Sequence, residues 1–267
     1  MSDSPPGSGP ATPMLTRGLW LWLFLAMLGL LVLSIVVEAL TENPRFIPSI
    51  LALGSFAVPV AFSAFVASQV PSANVPLGAL VVCFVAGGVV GTAVASTLEW
   101  DTLRDLGTVP VILVGSIEEP AKLLVPVAFF LAGRYVLTAD GLLLGVAAGM
   151  GFAAFETMGY ALTALLEADR IGSAERQLFQ RSAAAPFGHP TWTALVCTVL
   201  WYERRRVGRM APTPAVVAAF VIAVLLHAGW DAYVDEPVKQ TVIGVLSASL
   251  LTICVLVARR EPSGTGT

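Results

Sequence analysis

Eight runs of mostly apolar residues, at 19–40, 46–67, 76–98, 108–133, 139–166, 179–202, 214–235 and 239–258, fill nearly the whole chain. Each is close to or above the roughly 20 residues that an α-helix needs to cross a bilayer. In lipid, every backbone N–H and C=O must find its partner inside the protein, which leaves only helices and closed barrels. Barrel strands would be shorter and would alternate apolar with polar residues. The sequence therefore predicts an all-α fold, a polytopic transmembrane helical bundle of about eight spanning helices, with the lipid bilayer as its solvent. Hydrophobic residues make up 56% of the chain and charged residues only 12%, which excludes an ordinary soluble enzyme and a disordered protein. The net charge of -3 offers no basic footprint for phosphates, so no nucleic-acid partner is expected.

The first run follows Arg17 but is too long for the apolar core of a signal peptide, and no A-x-A site follows it. It reads as a retained helix. Residues 1–18, rich in Ser, Pro and Gly, are expected to form a disordered tail, and 259–267 a second short tail. Orientation follows from the bias of Lys and Arg toward cytoplasmic loops. With the N-terminus inside, Arg17, Arg134, Arg204, Arg205, Arg206, Arg209, Arg259 and Arg260 lie on the cytoplasmic side. Arg45, Arg104, Arg170, Arg176 and Lys239 lie outside. Both termini are thus expected in the cytoplasm of a multi-pass cell-membrane protein, and the Arg204–Arg209 cluster reads as a topology anchor. Cys83, Cys197 and Cys254 sit alone in separate runs and read as small core residues. Gly141, Gly145 and Gly149, at four-residue spacing, let another helix approach closely and predict a central fifth helix.

Ionisable side chains inside a spanning helix are costly and mark functional sites. Four runs carry them. The fourth holds Glu118, Glu119 and Lys122 around Pro120. The fifth holds Phe155, Glu156 and Tyr160, and the seventh His227 and Asp231. The sixth begins near Arg181 and reaches His189 and Pro190. No other histidine occurs in the chain. Counted from the outer end of each run at about 1.5 Å per residue, Glu118, Glu156 and His189 lie roughly 15 Å deep and His227 roughly 12 Å. A lone membrane histidine is usually inter-helical glue, and Glu38 reads as an interfacial residue. Four motifs at one depth argue instead for one buried polar site.

Glu118 and Glu119 both share a face with Lys122, at i,i+4 and i,i+3, so the ammonium can neutralise one carboxylate. Adjacent carboxylates in a low dielectric resist both being ionised, which suits a group that accepts a proton and returns it. Pro120 and Pro190 each remove a backbone hydrogen bond beside the site. His227 and Asp231 are i and i+4, so Asp231 can fix the imidazole tautomer. Glu119, Glu156, His189 and His227 make a donor set for a catalytic Zn2+ with an open water position. The same groups can activate water without metal, and the sequence leaves both routes open.

In order and spacing, Glu118-Glu119-x-x-Lys122, Phe155-Glu156-x-x-x-Tyr160, Arg181 followed by His189, and His227-x-x-x-Asp231 resemble the signature of the PrsW family of intramembrane proteases. The resemblance covers roughly residues 108–235 of a transmembrane protease domain spanning 19–258. The pattern is also similar to the wider group of CAAX prenyl proteases and bacteriocin-processing proteins. Lys122 and Glu156 favour PrsW, because the CAAX group typically has Arg and His there. The resemblance implies an intramembrane endopeptidase whose partner is a single-pass membrane protein, such as an anti-sigma factor cut in regulated proteolysis. On this reading Glu118 or Glu119 activates water, with Glu119 favoured for its place beside Pro120. His189 and His227 polarise the scissile carbonyl or bind a metal, Asp231 orients His227, and Lys122 balances the carboxylates. Glu156 is a third ligand or a polar support, and Arg181 neutralises the site or meets substrate. Tyr160 donates to an oxyanion or packs. H-E-x-x-H is absent, so the zincin helix geometry is not expected. A proton-coupled transporter using the cluster as a relay, or a catalytically silent scaffold that binds a membrane helix, are the alternatives.

Overall fold

The computed structural model describes residues 18–70, 73–106, 110–168, 170–208, 213–233 and 236–260. Among them are nine α-helices and two 3-10 turns, with no strand. The helices are α1 (Leu19–Thr41), α2 (Ile47–Gln69), α3 (Leu77–Leu106), α4 (Val111–Leu131), α5 (Thr138–Ala168), α6 (Ile171–Ala184), α7 (His189–Val207), α8 (Pro214–Ala232) and α9 (Pro237–Arg260). Six segments are long and apolar enough to cross a membrane: α1, α2 with its preceding 3-10 turn, α3, α5, α8 and α9. The other two of spanning length, α4 and α7, carry charges in place of apolar residues. Glu118, Glu119 and Lys122 lie within α4, and Glu203 to Arg206 lie at the end of α7. The fold is thus an all-α polytopic bundle.

Three boundaries differ from the sequence expectation. The run at 179–202 is not one helix. α6 ends at Ala184, a 3-10 turn covers Ala185–Phe187, and α7 begins at His189. Pro186, Gly188 and Pro190 cause the break, and Pro190 sits in the first turn of α7, where its missing N–H costs nothing. Pro190 therefore starts a helix rather than kinking one, and Arg181 and His189 belong to different elements. α6 is amphipathic, with Glu175, Arg176, Gln177, Gln180 and Arg181 interrupting its apolar positions. Helix α3 continues past residue 98 to Leu106, so Glu99 is helical. Helix α9 runs to Arg260, which takes the first two residues of the expected C-terminal tail into the helix. The rest of that tail and residues 1–17 of the expected disordered N-terminal tail lie outside the described residues.

Helix α5 is the axis of the bundle, buried over most of its length and packed against α2, α3, α6 and α7. Its glycines explain the approach of α7. A Cβ at Gly145 would sit 2.8 Å from the Ala194 Cα, and one at Gly149 would sit 2.6 Å from the His189 carbonyl oxygen. No side chain fits there, and the backbone contact sets the position of the first residue of α7. The three cysteines are free and buried, as expected.

One end of the bundle is tied together by polar contacts. Asp140, fully buried, accepts from the backbone N–H of Asn74 (2.6 Å) and Leu137 (2.9 Å). Arg204 donates to the carbonyls of Phe130 (3.0 Å) and Tyr135 (3.2 Å), and the Trp201 indole donates to the same Tyr135 oxygen. Arg259 reaches across to the Gln69 carbonyl and side chain, both at 2.6 Å. Arg204 thus closes the C-terminal end of α4. The end formed by the start of α4, the start of α7 and the end of α8 carries the four polar motifs.

Candidate active site

The four motifs meet in one cluster. On α4, Glu118 is 4% exposed, and Glu119 and Lys122 are fully buried. The Lys122 ammonium lies 2.8 Å from Glu119 Oε1, 3.0 Å from Glu118 Oε2 and 2.7 Å from His189 Nδ1. It also sits 4.5 Å above the Phe152 ring. His189 turns its Nε2 to Glu156 Oε2 at 3.0 Å, and that oxygen takes an Arg181 N–H at 2.6 Å. His227 turns its Nδ1 to Glu119 Oε1 at 2.9 Å. Its Nε2 lies 3.5 Å from Glu118 Oε2 and 3.4 Å from Asp231 Oδ2. The two imidazole rings are 5.1 Å apart.

Each histidine therefore has one nitrogen against a glutamate, Glu119 or Glu156, and the other toward Glu118, at 3.5 Å for His227 and 4.0 Å for His189, where Lys122 lies nearer. A neutral imidazole that donates to Glu119 or Glu156 must carry its proton on that nitrogen. The inward nitrogens, His227 Nε2 and His189 Nδ1, then present lone pairs. Together with a Glu118 oxygen they form a donor set whose atoms lie within 4.8 Å of one another. Glu118 Oε2 is buried with the Lys122 ammonium as its ion-pair partner at 3.0 Å, and Glu119 Oε2 is buried without a hydrogen-bond partner. Two histidines, one carboxylate and outer carboxylates on the second histidine nitrogens fit a catalytic divalent metal. Lys122 contends for the His189 lone pair. The geometry thus gathers Glu118 with the histidines and sets Glu119 and Glu156 behind them, where the sequence pattern offered Glu119 and Glu156 as ligands. Asp231 faces the inward nitrogen of His227, and Glu119 is the group that holds its outer nitrogen.

Two of the expected residues lie beside the cluster rather than in it. Phe155 packs edge-on against Phe56 with ring centroids 5.1 Å apart. Tyr160 is half exposed and carries the Arg181 guanidinium 4.0 Å above its ring, so it seats the arginine that engages Glu156. Sequence reasoning missed three participants. Glu99, partly buried on α3, sets its carboxyl beside that of Glu118. Ending the third span at residue 98 had placed Glu99 in a loop. Trp192, fully buried, stacks on His227 with centroids 4.7 Å apart and planes at 24°. Its indole N–H donates to Ser247 Oγ on α9 at 3.0 Å. Trp192 falls three residues after His189, one helical turn away, which is the only signal the sequence held.

Glu156, His189, Trp192 and Asp231 line a cavity of about 1210 Å³ bounded by α5, α6, α7, α8 and α9. Among the described residues the cluster has no counterpart at the opposite end of the bundle, where Asp140 has both oxygens held by backbone N–H groups.

The family model for PrsW family intramembrane metalloproteases matches residues 74–258, well over half of the chain and every motif of the cluster. No curated protein and no solved structure gave a match. The buried carboxylate–histidine cluster inside a bundle of apolar helices, read with that match, identifies the protein's class: the chain belongs to the PrsW family and is a multi-pass intramembrane protease.

Proposed function

We propose that this site hydrolyses a peptide bond of a single-pass membrane protein, in or next to the bilayer, with Glu118 as the group that activates water. The observation that carries this is Glu118 Oε2, buried, held by the Lys122 ammonium at 3.0 Å and set 4.0 Å from His189 Nδ1 and 3.5 Å from His227 Nε2. Glu118 takes the proton of the attacking water and returns it to the leaving amine. Glu119 and Glu156 fix the histidine tautomers, and Lys122 holds the paired carboxylates in place and offers positive charge where an oxyanion forms. His189, His227 and one oxygen of Glu118 would hold Zn2+, which leaves the second Glu118 oxygen to accept the proton. When bound, the ion supplies polarisation of the carbonyl and a water of lowered pKa. Trp192 covers His227 and keeps bulk water from that face.

Purified protein in vesicles, given a tagged single-pass substrate, tests the reading. Cleavage should occur, stop on chelation and return with Zn2+. Cleavage that survives exhaustive chelation would remove the metal from this scheme, and no cleavage of any membrane-anchored substrate would overturn the reading itself.

Asp231 separates two assignments. It is the member of the cluster most open to the cavity, at 33% side-chain exposure. Asp231 lies against the same His227 nitrogen that faces Glu118, so as an orienting group its loss in Asp231→Asn should cost about 10–100-fold in cleavage rate, as loss of a carboxylate that positions a histidine does. A loss as large as that of Glu118→Gln would make Asp231 the base.

The same proposal places the protein in the cell membrane with both termini in the cytoplasm and the site in the outer half. Support comes from the arginines that end α7. A cysteine introduced at Val207 should resist an impermeant thiol reagent in intact cells. Labelling there would invert the orientation.

A further inference from the structure

The cavity is not a rounded pocket. On its α9 side it is lined from Gln240 to Ile253, a stretch of about 20 Å along a helix axis at roughly 1.5 Å per residue. The opposite wall is the end of α6 and the 3-10 turn Ala185–Phe187, and the floor holds Glu156, His189 and Asp231. Its volume exceeds the roughly 300–1,000 Å³ typical of small-molecule sites. Val245, 60% exposed, and Ile253, 55% exposed, show that this face of α9 is open among the described residues.

We propose that the cleft between α6 and α9 is the lateral route by which the membrane segment of a single-pass substrate reaches the site. The inference rests on the peptidase reading and adds where, and in what form, the substrate binds. Continuity carries it, because the same cleft touches lipid-facing α9 residues along one side and the candidate catalytic groups along the other. The chemistry of the walls changes along its length. Gly244 lies level with Trp230 and Phe187, and Ser247 level with Trp192, so the site faces the middle of the α9 wall. Toward the C-terminal half of α9, Ala248, Ser249 and Thr252 are small, and a helix can lie close against them. Toward its start, the cleft is lined by Gln240 and Thr241 of α9 and by Gln177 and Gln180 of α6. A peptide bond must leave the helical hydrogen-bond pattern before it can be attacked, and in lipid its freed N–H and C=O need partners. Side-chain amides on both walls supply them. The substrate thus stays helical against Ala248 and Thr252 and unwinds beside the glutamines, with the scissile bond over His189.

The probe is a tagged single-pass protein with a Leu/Ala membrane segment of about 20 residues and a Gly-Ser pair near its outer end. Ala248→Trp, which narrows the cleft without touching the cluster, should slow its cleavage by about 10-fold or more by displacing the bond to be cut. A short soluble peptide bearing the same cleavage site, assayed in detergent, should be cut at the wild-type rate. Leu246→Trp, on the exposed surface of α9 turned away from the cleft, is the control and should leave both unchanged. Photo-crosslinking in a Glu118→Gln background reads the route without any turnover. A photoreactive residue at Val245 should capture the probe, and one at Leu246 should not. Capture from Leu246 but not Val245, or wild-type cleavage of the probe by folded Ala248→Trp, overturns the route. Crosslinking at Val245 with no cleavage by the wild type would instead fault the peptidase reading and leave the route standing.

Discussion

Glu118→Gln is expected to lower cleavage of a membrane-anchored substrate by at least about 100-fold, the lower range for loss of a general acid–base. The amide keeps the shape and the neighbours of the carboxylate but cannot take a proton from water. It also weakens the set formed with His189 and His227, so metal content measured on the purified variant should fall with activity. Glu119→Gln should act differently. Its Oε1 is held by Lys122 and His227, so the amide disturbs the histidine tautomer and the ion pair before it touches the reaction. The comparison needs both variants on one substrate, with thermal unfolding in detergent as the control for folding. Near-wild-type cleavage by Glu118→Gln, with Glu119→Gln inactive yet equally stable, would return the base to Glu119.

Lys122 carries the largest expected effect on stability. Its ammonium, fully buried, lies within 3.0 Å of both carboxylates. Removing one partner of a buried ion pair costs about 3–5 kcal/mol, because the charge left behind has neither water nor counter-ion. Lys122→Met leaves two such carboxylates and should unfold at markedly lower temperature than the wild type. The destabilisation belongs to the stranded charges, not to the lost lysine. Combining Lys122→Met with Glu118→Gln and Glu119→Gln should therefore recover most of the loss while remaining inactive. If the triple variant is no more stable than Lys122→Met alone, packing rather than charge is what Lys122 provides.

The fold class was legible because lipid leaves few choices. Once the apolar runs were long enough, helices followed, and the residues that did not belong in them stood out. Glu118, Glu119, Lys122, Glu156, His189, His227 and Asp231 all lie in one cluster. What the sequence hid has two physical sources. Runs of hydropathy blur across a helix break, so α6 and α7 merged and His189 seemed to lie mid-helix, although Pro186, Gly188 and Pro190 were there to be read as a boundary. Burial that comes from tertiary packing has no local mark either. Glu99 stands next to Trp100 and Asp101, a stretch that looks like a loop, and only the approach of α4 turns it toward the site. Ser247 is one small residue among many in α9, and nothing within that helix says that it holds the indole covering His227. Neither Glu118 nor Glu119 is distinguished by spacing. The choice between them depends on which carboxylate the histidines face.

The polar ties at Asp140, Arg204, Trp201 and Arg259 all gather at the end of the bundle remote from the cleft. Helix α9 is held at that end through Arg259 and again at mid-length through Ser247 and Trp192, while α6 is held to the core by Arg181 and Ser182, so the stretch of α9 before Ser247 is its compliant part. Thermal energy should thus appear as movement of the start of α9 away from α6, while α4, α5 and α7 keep their mutual spacing. Such a gradient of stiffness lets the cleft widen by a bend too slight to disturb the histidines at the floor. A change at Arg204 would soften the anchorage and make the cluster move with the walls.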